Sequence, residues 1–115
     1  MRDSTLYLKD ILEAMDAIER FVENMEFEDF KMDDKTSSAV LRKFEIIGEA
    51  TKNVPDTIKQ KYSIIPWREM AGMRDKLIHF YFGIKYDLVW RTIKDVIPQV
   101  KPDIRKILGD FEGPV

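Results

Sequence analysis

A short stretch before residue 82 holds the side chains with the most evident chemistry, namely Arg74, Asp75, His79 and Tyr81. His79 is the only histidine of the chain, so any imidazole chemistry must take place here. An imidazole exchanges protons near neutral pH, and a guanidinium can hold two phosphate oxygens at once. Such a pair can cleave an RNA phosphodiester without a metal ion, because the base takes the ribose 2′-hydroxyl proton and the cation stabilises the attacked phosphate. Tyr81 could hold the phosphate or stack on a base.

The spacing of these residues requires a particular backbone. Arg74 and His79 are five positions apart, which is about 140° around an ideal helix, so they cannot share one face of a straight helix. Asp75 and His79 are four apart and can meet on a helix, where Asp75 could hold one ring nitrogen of the imidazole. For all four side chains to converge, the helix must end or tighten near His79, or a second chain must complete the site.

Arg74 also lies where the helical pattern predicts an apolar residue. It falls in the middle of an apolar stripe, and a guanidinium on a core-facing stripe is costly unless it is paired or meets a ligand. The stripe consists of Trp67, Met70, Ala71, Leu77 and Ile78.

A structural interpretation competes with the functional one. Arg74 could pair with Glu45 or Glu49 of a preceding helix, and His79 could cap a helix end. Ion pairs that only support a fold can look like functional sites, so the spacing alone leaves both interpretations open.

Helical periodicity predominates and predicts an all-α bundle of four main helices plus a short helix. The acidic stretch 26–34 reads as a connection, no strand alternation is found, and Gly109 begins a predicted loose tail. Pro98 and Pro102 fall on the solvent-facing side of the last helix, so we expect one bent helix there. The predicted main helices cover about residues 4–25, 34–53, 66–79 and 87–108, and the short one covers 56–62.

The second predicted helix carries apolar residues on two sides. Opposite its main stripe lie Ala39, Ile46 and Ala50. A helix that is apolar on two sides usually contacts two partners. The second partner could be another subunit, or Ile46 could simply pack under a loop.

Composition restricts the class of protein. The 115 residues predict one domain, over residues 1–110 with a tail at 111–115. The chain has no cysteine, which excludes disulfides and thiol catalysis, and a single histidine argues against a zinc site. No apolar run could span a bilayer and no signal peptide is evident, so a cytoplasmic protein is expected. The net charge is −2, yet the second half of the chain is basic, which permits an anionic ligand near Arg74.

Sequence blocks around these residues resemble the HepT-like branch of the HEPN superfamily, the toxin halves of systems paired with a minimal nucleotidyltransferase. The resemblance covers nearly the whole chain. The family signature is an arginine, four residues, a histidine, one residue and a tyrosine, and Arg74, His79 and Tyr81 meet it without a gap. The matching blocks are residues 7–14, 42–50, 65–67, 72–82 and 89–90.

This resemblance implies a helical bundle that forms a symmetric homodimer, with two copies of the motif facing a shared cleft. It implies a metal-independent endoribonuclease toxin of a type VII-like toxin–antitoxin system, with RNA as substrate, no cofactor, and a cognate minimal nucleotidyltransferase as antitoxin. Arg74 and His79 would be catalytic, and Asp75 would support them. Tyr81 matches the tyrosine that the antitoxin can modify with AMP, which would exclude RNA by charge and volume. The alternative is a non-catalytic helical module that binds a nucleotide or docks onto a nucleotidyltransferase.

Overall fold

The computed structural model describes residues 3–79 and 83–112, with the side chains of His79 and Glu112 outside that description. Helices make up 81% of the structure, so the predicted all-α fold class is confirmed. One two-stranded antiparallel ladder accompanies them, which the sequence pattern did not predict. The elements are α1 (Ser4–Phe21), α2 (Phe27–Met32), α3 (Asp34–Lys52), α4 (Asp56–Lys61), α5 (Trp67–Ala71), α6 (Met73–Leu77), β1 (Ile78–His79), β2 (Gly83–Ile84), α7 (Tyr86–Arg91), a π-helical turn (Thr92–Val96) and α8 (Ile97–Glu112).

The core lies between α1, α3 and α8. Helix α1 begins because the Asp3 carboxylate accepts the backbone N–H of Thr5 at 2.9 Å, as an N-cap residue should. Its apolar positions at spacings of three and four are fully buried, and they pack against equally buried residues of α3 and α8. The largest of these side chains are Leu8, Ile11, Met15, Ile18, Phe44, Ile47, Ile97, Ile104 and Ile107.

The segment after α1 differs from the prediction. Helix α1 ends at Phe21 rather than near Met25, and Asn24 turns the chain with a φ of 65°. The acidic stretch predicted as a connection contains α2, because the Glu26 N–H donates to the Asp29 carboxylate at 2.9 Å and starts a helical turn. Helix α2 has only six residues, which is too few to show a periodic stripe, yet it buries Phe30 completely.

The third predicted helix is broken in two. Gly72 separates α5 from α6, and its N–H bonds the Arg68 carbonyl at 3.1 Å to close the last turn of α5. Helix α6 then ends at Leu77, where β1 begins and pairs antiparallel with β2. The prediction of a single helix from Pro66 to His79 was therefore wrong, because a glycine inside the pattern marked a real boundary.

The last helical run, over residues 86–112, is continuous, as expected. Its π-helical turn precedes Pro98, and the Ile97 N–H reaches back to the Thr92 carbonyl. A wider turn of this kind accommodates a residue that lacks an N–H without ending the helix. Pro98 and Pro102 are both exposed, on the side that the sequence predicted.

The two ends of that run differ in detail from the prediction. Lys85 rather than Asp87 precedes its first turn, and α8 continues past Gly109 to Glu112 instead of fraying into a tail. None of the helices within the described ranges combines the length and the apolar character that a bilayer crossing demands.

Candidate functional site

Arg74 lies on the surface of α6, with its side chain 57% exposed. Its Nε is 3.4 Å from the Glu45 carboxylate of α3, and its Nη1 is 3.7 Å from the Asp75 carboxylate. The expectation that Arg74 faces the core was wrong. The break at Gly72 shifts the helical phase, so Met73 occupies the buried position instead.

Glu45 is one of the two partners that the structural interpretation predicted for Arg74. Ion pairs at exposed positions contribute about 0–1 kcal/mol, since both charges keep much of their hydration. Glu45 therefore orients the guanidinium without holding it tightly, and the exposed side of Arg74 remains open to an anion.

A cleft of about 350 Å³ lies beside Arg74, between α3 and the α5–α6 pair. Gly48 makes the close approach of these helices possible, because a Cβ there would lie 3.2 Å from the Ala71 carbonyl oxygen. Helix α3 lines the cleft with alternating charges, and Ala71, Arg74 and Asp75 close its other side. The charged residues from α3 are Arg42, Glu45, Glu49 and Lys52.

Charges in this cleft are balanced. Glu49 and Lys52 approach to 3.4 Å, and Glu45 and Asp75 both approach Arg74. No role for Gly48 was predicted from the sequence. A glycine inside a strong helical stripe is the feature that could have indicated close helix packing there. An anion that binds Arg74 competes with these carboxylates, which favours ligands that bind a guanidinium through two oxygens.

The backbone of the motif bends where convergence requires it. Because α6 ends at Leu77, His79 lies on β1, opposite Gly83 of β2. The Lys85 N–H donates to the Leu77 carbonyl at 3.0 Å and fixes the base of this hairpin. Gly83 has a φ of 81°, a conformation that residues with a side chain rarely adopt. The straight-helix separation of 140° therefore no longer applies to Arg74 and His79.

The remaining predicted site residues are only partly described. Tyr81 lies outside the described residues, as does the side chain of His79. Asp75 has an 89% exposed side chain and its described partner is Arg74. The helical contact expected between Asp75 and His79 needs a helix through residue 79, and α6 stops two residues earlier.

The second apolar stripe of α3 is partly covered by the chain itself. Ala50 belongs to the buried core, and Ile46 is half-buried against it. Ile46 and Ala50 also line a small cleft with Tyr7 of α1. Part of this stripe is therefore covered by the chain's own core and by α1. Only its half-buried part is available for contact with a second subunit.

Comparison with known proteins identifies the family. The family described as "Ribonuclease HepT-like" matches residues 11–107, which include Arg74 and His79. A Methanocaldococcus jannaschii protein provisionally named an RNase is 51% identical over 112 residues, covering 97% of this chain and 93% of its own. A Thermococcus cleftensis protein provisionally named ribonuclease HepT is 52% identical over 101 residues, covering 88% of this chain and 92% of its own.

A third relative aligns over a similar share of the chain. This protein of Caldanaerobacter subterraneus, also provisionally named an RNase, is 44% identical over 108 residues, covering 94% of this chain and 96% of its own. No solved structure matches the chain significantly. A family match over most of the helical bundle, together with relatives that align over nearly their full lengths, establishes that the chain belongs to the HepT-like ribonuclease family.

Proposed function

We propose that the chain is a metal-independent endoribonuclease and the toxin of a toxin–antitoxin pair. Family membership supports ribonuclease activity in general. The main support for this mechanism is the end of α6 at Leu77. Because the helix ends there, Arg74 and His79 are no longer kept apart by the geometry of one straight helix. The exposed guanidinium of Arg74 lies beside an open cleft. His79, the only histidine of the chain, follows Arg74 by five residues.

In the proposed reaction His79 is the general base and Arg74 is the phosphate ligand. The imidazole takes the proton of the ribose 2′-hydroxyl, and that oxygen attacks phosphorus. Arg74 stabilises the charge that develops on the phosphate oxygens. The bond from phosphorus to the 5′ oxygen breaks, and the imidazolium returns a proton to that oxygen. The products are a 2′,3′-cyclic phosphate end and a 5′-hydroxyl end.

Asp75 and Tyr81 have supporting roles in this proposal. Asp75 shares Arg74 with Glu45 and helps to orient the guanidinium. Tyr81 contacts the substrate and accepts AMP from a cognate minimal nucleotidyltransferase antitoxin. An AMP group on Tyr81 would add negative charge and bulk, so RNA phosphate is excluded. Mass spectrometry of the protein co-produced with its antitoxin tests this, and Tyr81→Phe should prevent the mass increase.

Purified protein incubated with total RNA in excess chelator tests the nuclease directly. We expect cleavage with cyclic phosphate ends, and His79→Ala should abolish it while leaving the circular dichroism spectrum and the melting temperature unchanged. Lys106→Ala provides a control, since this exposed residue of α8 is absent from the cleft beside Arg74. Undiminished cleavage by His79→Ala would rule out the assignment.

The Arg74–Glu45 contact supports a second candidate function, a non-catalytic module that binds a nucleotide or docks onto a nucleotidyltransferase. A structural ion pair needs no substrate, and a phosphate group could still displace Glu45. Nucleotide binding without any RNA cleavage, measured on the same preparation in chelator, would favour this module.

A further inference from the structure

A second groove, of about 520 Å³, lies beside the hairpin that carries His79, between α2 and the β2–α7 segment. We call it the α2–α7 groove. Its lining includes three cations, Lys31, Lys85 and Arg91, and the half-buried rings of Phe27 and Tyr86. This combination of cations and aromatic rings is typical of surfaces that bind single-stranded nucleic acid.

The cations of this groove are available to a ligand. Lys31, Lys85 and Arg91 are exposed, and none of them forms an ion pair with a residue that the structure describes. Asp87 is the only acid among the lining residues. The cleft beside Arg74 differs, because its carboxylates balance its cations. Within a chain of net charge −2, the α2–α7 groove is therefore a locally positive surface.

Aromatic rings join the two helices that flank the groove. Phe30 is fully buried, and its ring centroid is 5.3 Å from that of Trp90 and 6.3 Å from that of Tyr86. Phe27 also packs on Trp90, at 6.2 Å. These aromatic contacts pack α2 against α7, so the backbone positions that carry the cations are set by the fold itself.

The groove begins next to the strand pair that contains His79. Gly83, the residue opposite His79 in the ladder, is followed directly by Ile84 and Lys85, which line the groove. The Lys85 N–H is held by the Leu77 carbonyl at the end of the helix that carries Arg74. The backbone of β2 therefore connects the position opposite His79 with the groove.

We infer that the α2–α7 groove binds the backbone of the RNA strand on one side of the cleaved linkage. This inference rests on the proposed nuclease function. Lys31, Lys85 and Arg91 neutralise successive phosphates, and the exposed faces of Phe27 and Tyr86 give a base an apolar surface to rest on. Phosphate contacts of this kind add affinity without reading sequence, so the groove extends the substrate footprint without selecting a particular RNA.

The test measures binding of a labelled single-stranded RNA by the full chain in a His79→Ala background, which prevents cleavage during the titration. The groove variant carries Lys31→Gln, Lys85→Gln and Arg91→Gln. The matched control carries Lys59→Gln, Lys61→Gln and Lys106→Gln, with the same change of charge at residues that do not line the groove. A third protein, with Lys31→Arg and Lys85→Arg, keeps the charge. Thermal melts establish that all variants fold.

We expect the groove variant to bind RNA at least tenfold more weakly, and the slope of log Kobs against log salt to become less negative by about 2, since each single-strand phosphate contact contributes about 0.7. The control and the arginine variant should stay within about twofold of the background protein, because salt-dependent phosphate binding follows charge.

Equal weakening by the groove variant and the control would overturn the inference, as would equal weakening by the arginine variant. An unchanged RNA affinity with lost binding of the nucleotidyltransferase would also overturn it and assign the groove to protein docking. If the unaltered protein cleaves no RNA but the groove variant shows the expected loss, the nuclease proposal fails while the groove remains an RNA-binding surface.

Discussion

Arg74 is held by carboxylates at the surface and still presents open donors, a combination that suits a phosphate ligand better than a core ion pair. Glu45 provides orientation at low energetic cost, because the pair is exposed. A phosphate that engages two guanidinium nitrogens can compete with a single carboxylate at 3.4 Å.

The first prediction concerns this guanidinium. Arg74→Ala should lower kcat for RNA cleavage by about 10²–10³-fold, the usual loss when a transition-state donor is removed. Arg74→Lys should recover only part of that rate, since an ammonium group cannot present two parallel donors. Rates are measured on one defined RNA, with Arg68→Ala as control because Arg68 is exposed on α5 and does not line the cleft. Full activity of Arg74→Lys would mean that charge alone suffices.

Lys101 links two helices of the core through charged contacts. Its side chain is 14% exposed on α8 and bonds both Asp16 and Glu19 of α1. Burial alone would lower the pKa of Lys101, but its hydrogen bonds with Asp16 and Glu19 outweigh burial and raise that pKa above its usual value. A raised lysine pKa means stabilisation that is complete at neutral pH and is lost as the pH rises through the folded-state pKa.

Lys101→Met should therefore lower the free energy of unfolding by about 1–2 kcal/mol at pH 7, since its half-exposed carboxylate partners can partly rehydrate. The difference from the unaltered protein should shrink in strongly alkaline buffer, where Lys101 loses its proton. Urea unfolding at both pH values measures this. Arg105→Met is the control, because Arg105 is 59% exposed and 3.9 Å from Asp16, and it should change little. A difference that is equal at both pH values would contradict the charge argument.

Among the elements, α3 has the largest influence on the site. It carries Glu45 and approaches α5 so closely that a Cβ added at Gly48 would lie 3.2 Å from the Ala71 carbonyl oxygen. Its start depends on Asp33, whose carboxylate accepts the Thr36 N–H at 3.0 Å. The position of the cleft thus depends on one glycine and one cap.

Gly48→Leu should separate α3 from α5, because the added atoms would meet a backbone carbonyl that cannot rotate away. We expect a loss of about 1–3 kcal/mol in unfolding free energy, typical of overpacking, and weaker RNA cleavage. Gly109→Ala on α8 is the matched control. Nothing lies within 4 Å of its Cβ position, so alanine should leave stability unchanged or slightly raised. The prediction is wrong if Gly48→Leu melts at the same temperature as the unaltered protein.

The N-cap of α3 makes the stability of this helix depend on pH. Hydrogen bonds from the Thr36 backbone and then from its hydroxyl lower the pKa of Asp33 below its usual value. The stabilisation is therefore present above the usual carboxyl pKa and is lost as the pH falls through the lowered one. Asp33→Ala should lower the melting temperature at pH 7. Asp33→Asn keeps an acceptor oxygen, so its melting temperature should depend less on acid pH than that of the unaltered protein. Parallel pH profiles for Asp33→Asn and the unaltered protein would exclude this cap.

We expect the whole molecule to be a homodimer. The homodimer implied by family resemblance needs a surface, and α3 contributes only the half-buried remainder around Ile46, since Ala50 is already in the core. We predict a particle of twice the chain mass by sedimentation velocity. A fully active monomer across all protein concentrations would contradict the dimer and would show that one chain supplies the whole site.

Long helices could be predicted from the sequence, whereas the short helices around the site could not. Helix spacing identified α1, α3 and the last helical run, because long amphipathic segments repeat their pattern many times. Helices α2, α5 and α6 have five or six residues each, so their boundaries depend on caps and on Gly72 rather than on periodicity. The orientation of Arg74 followed from that glycine, which is why a continuous stripe predicted the wrong face.

Local periodicity and residue chemistry are enough to predict the helical class and the buried stripes, and they identify Arg74, His79 and Tyr81 as candidates. The same patterns do not contain the end of α6 at Leu77 or the approach of Glu45 to Arg74. Glu45 and Arg74 are far apart in the chain, and packing of α3 against α5 and α6 brings them together. Their separation depends on how closely these helices pack, and a one-dimensional pattern does not contain that distance.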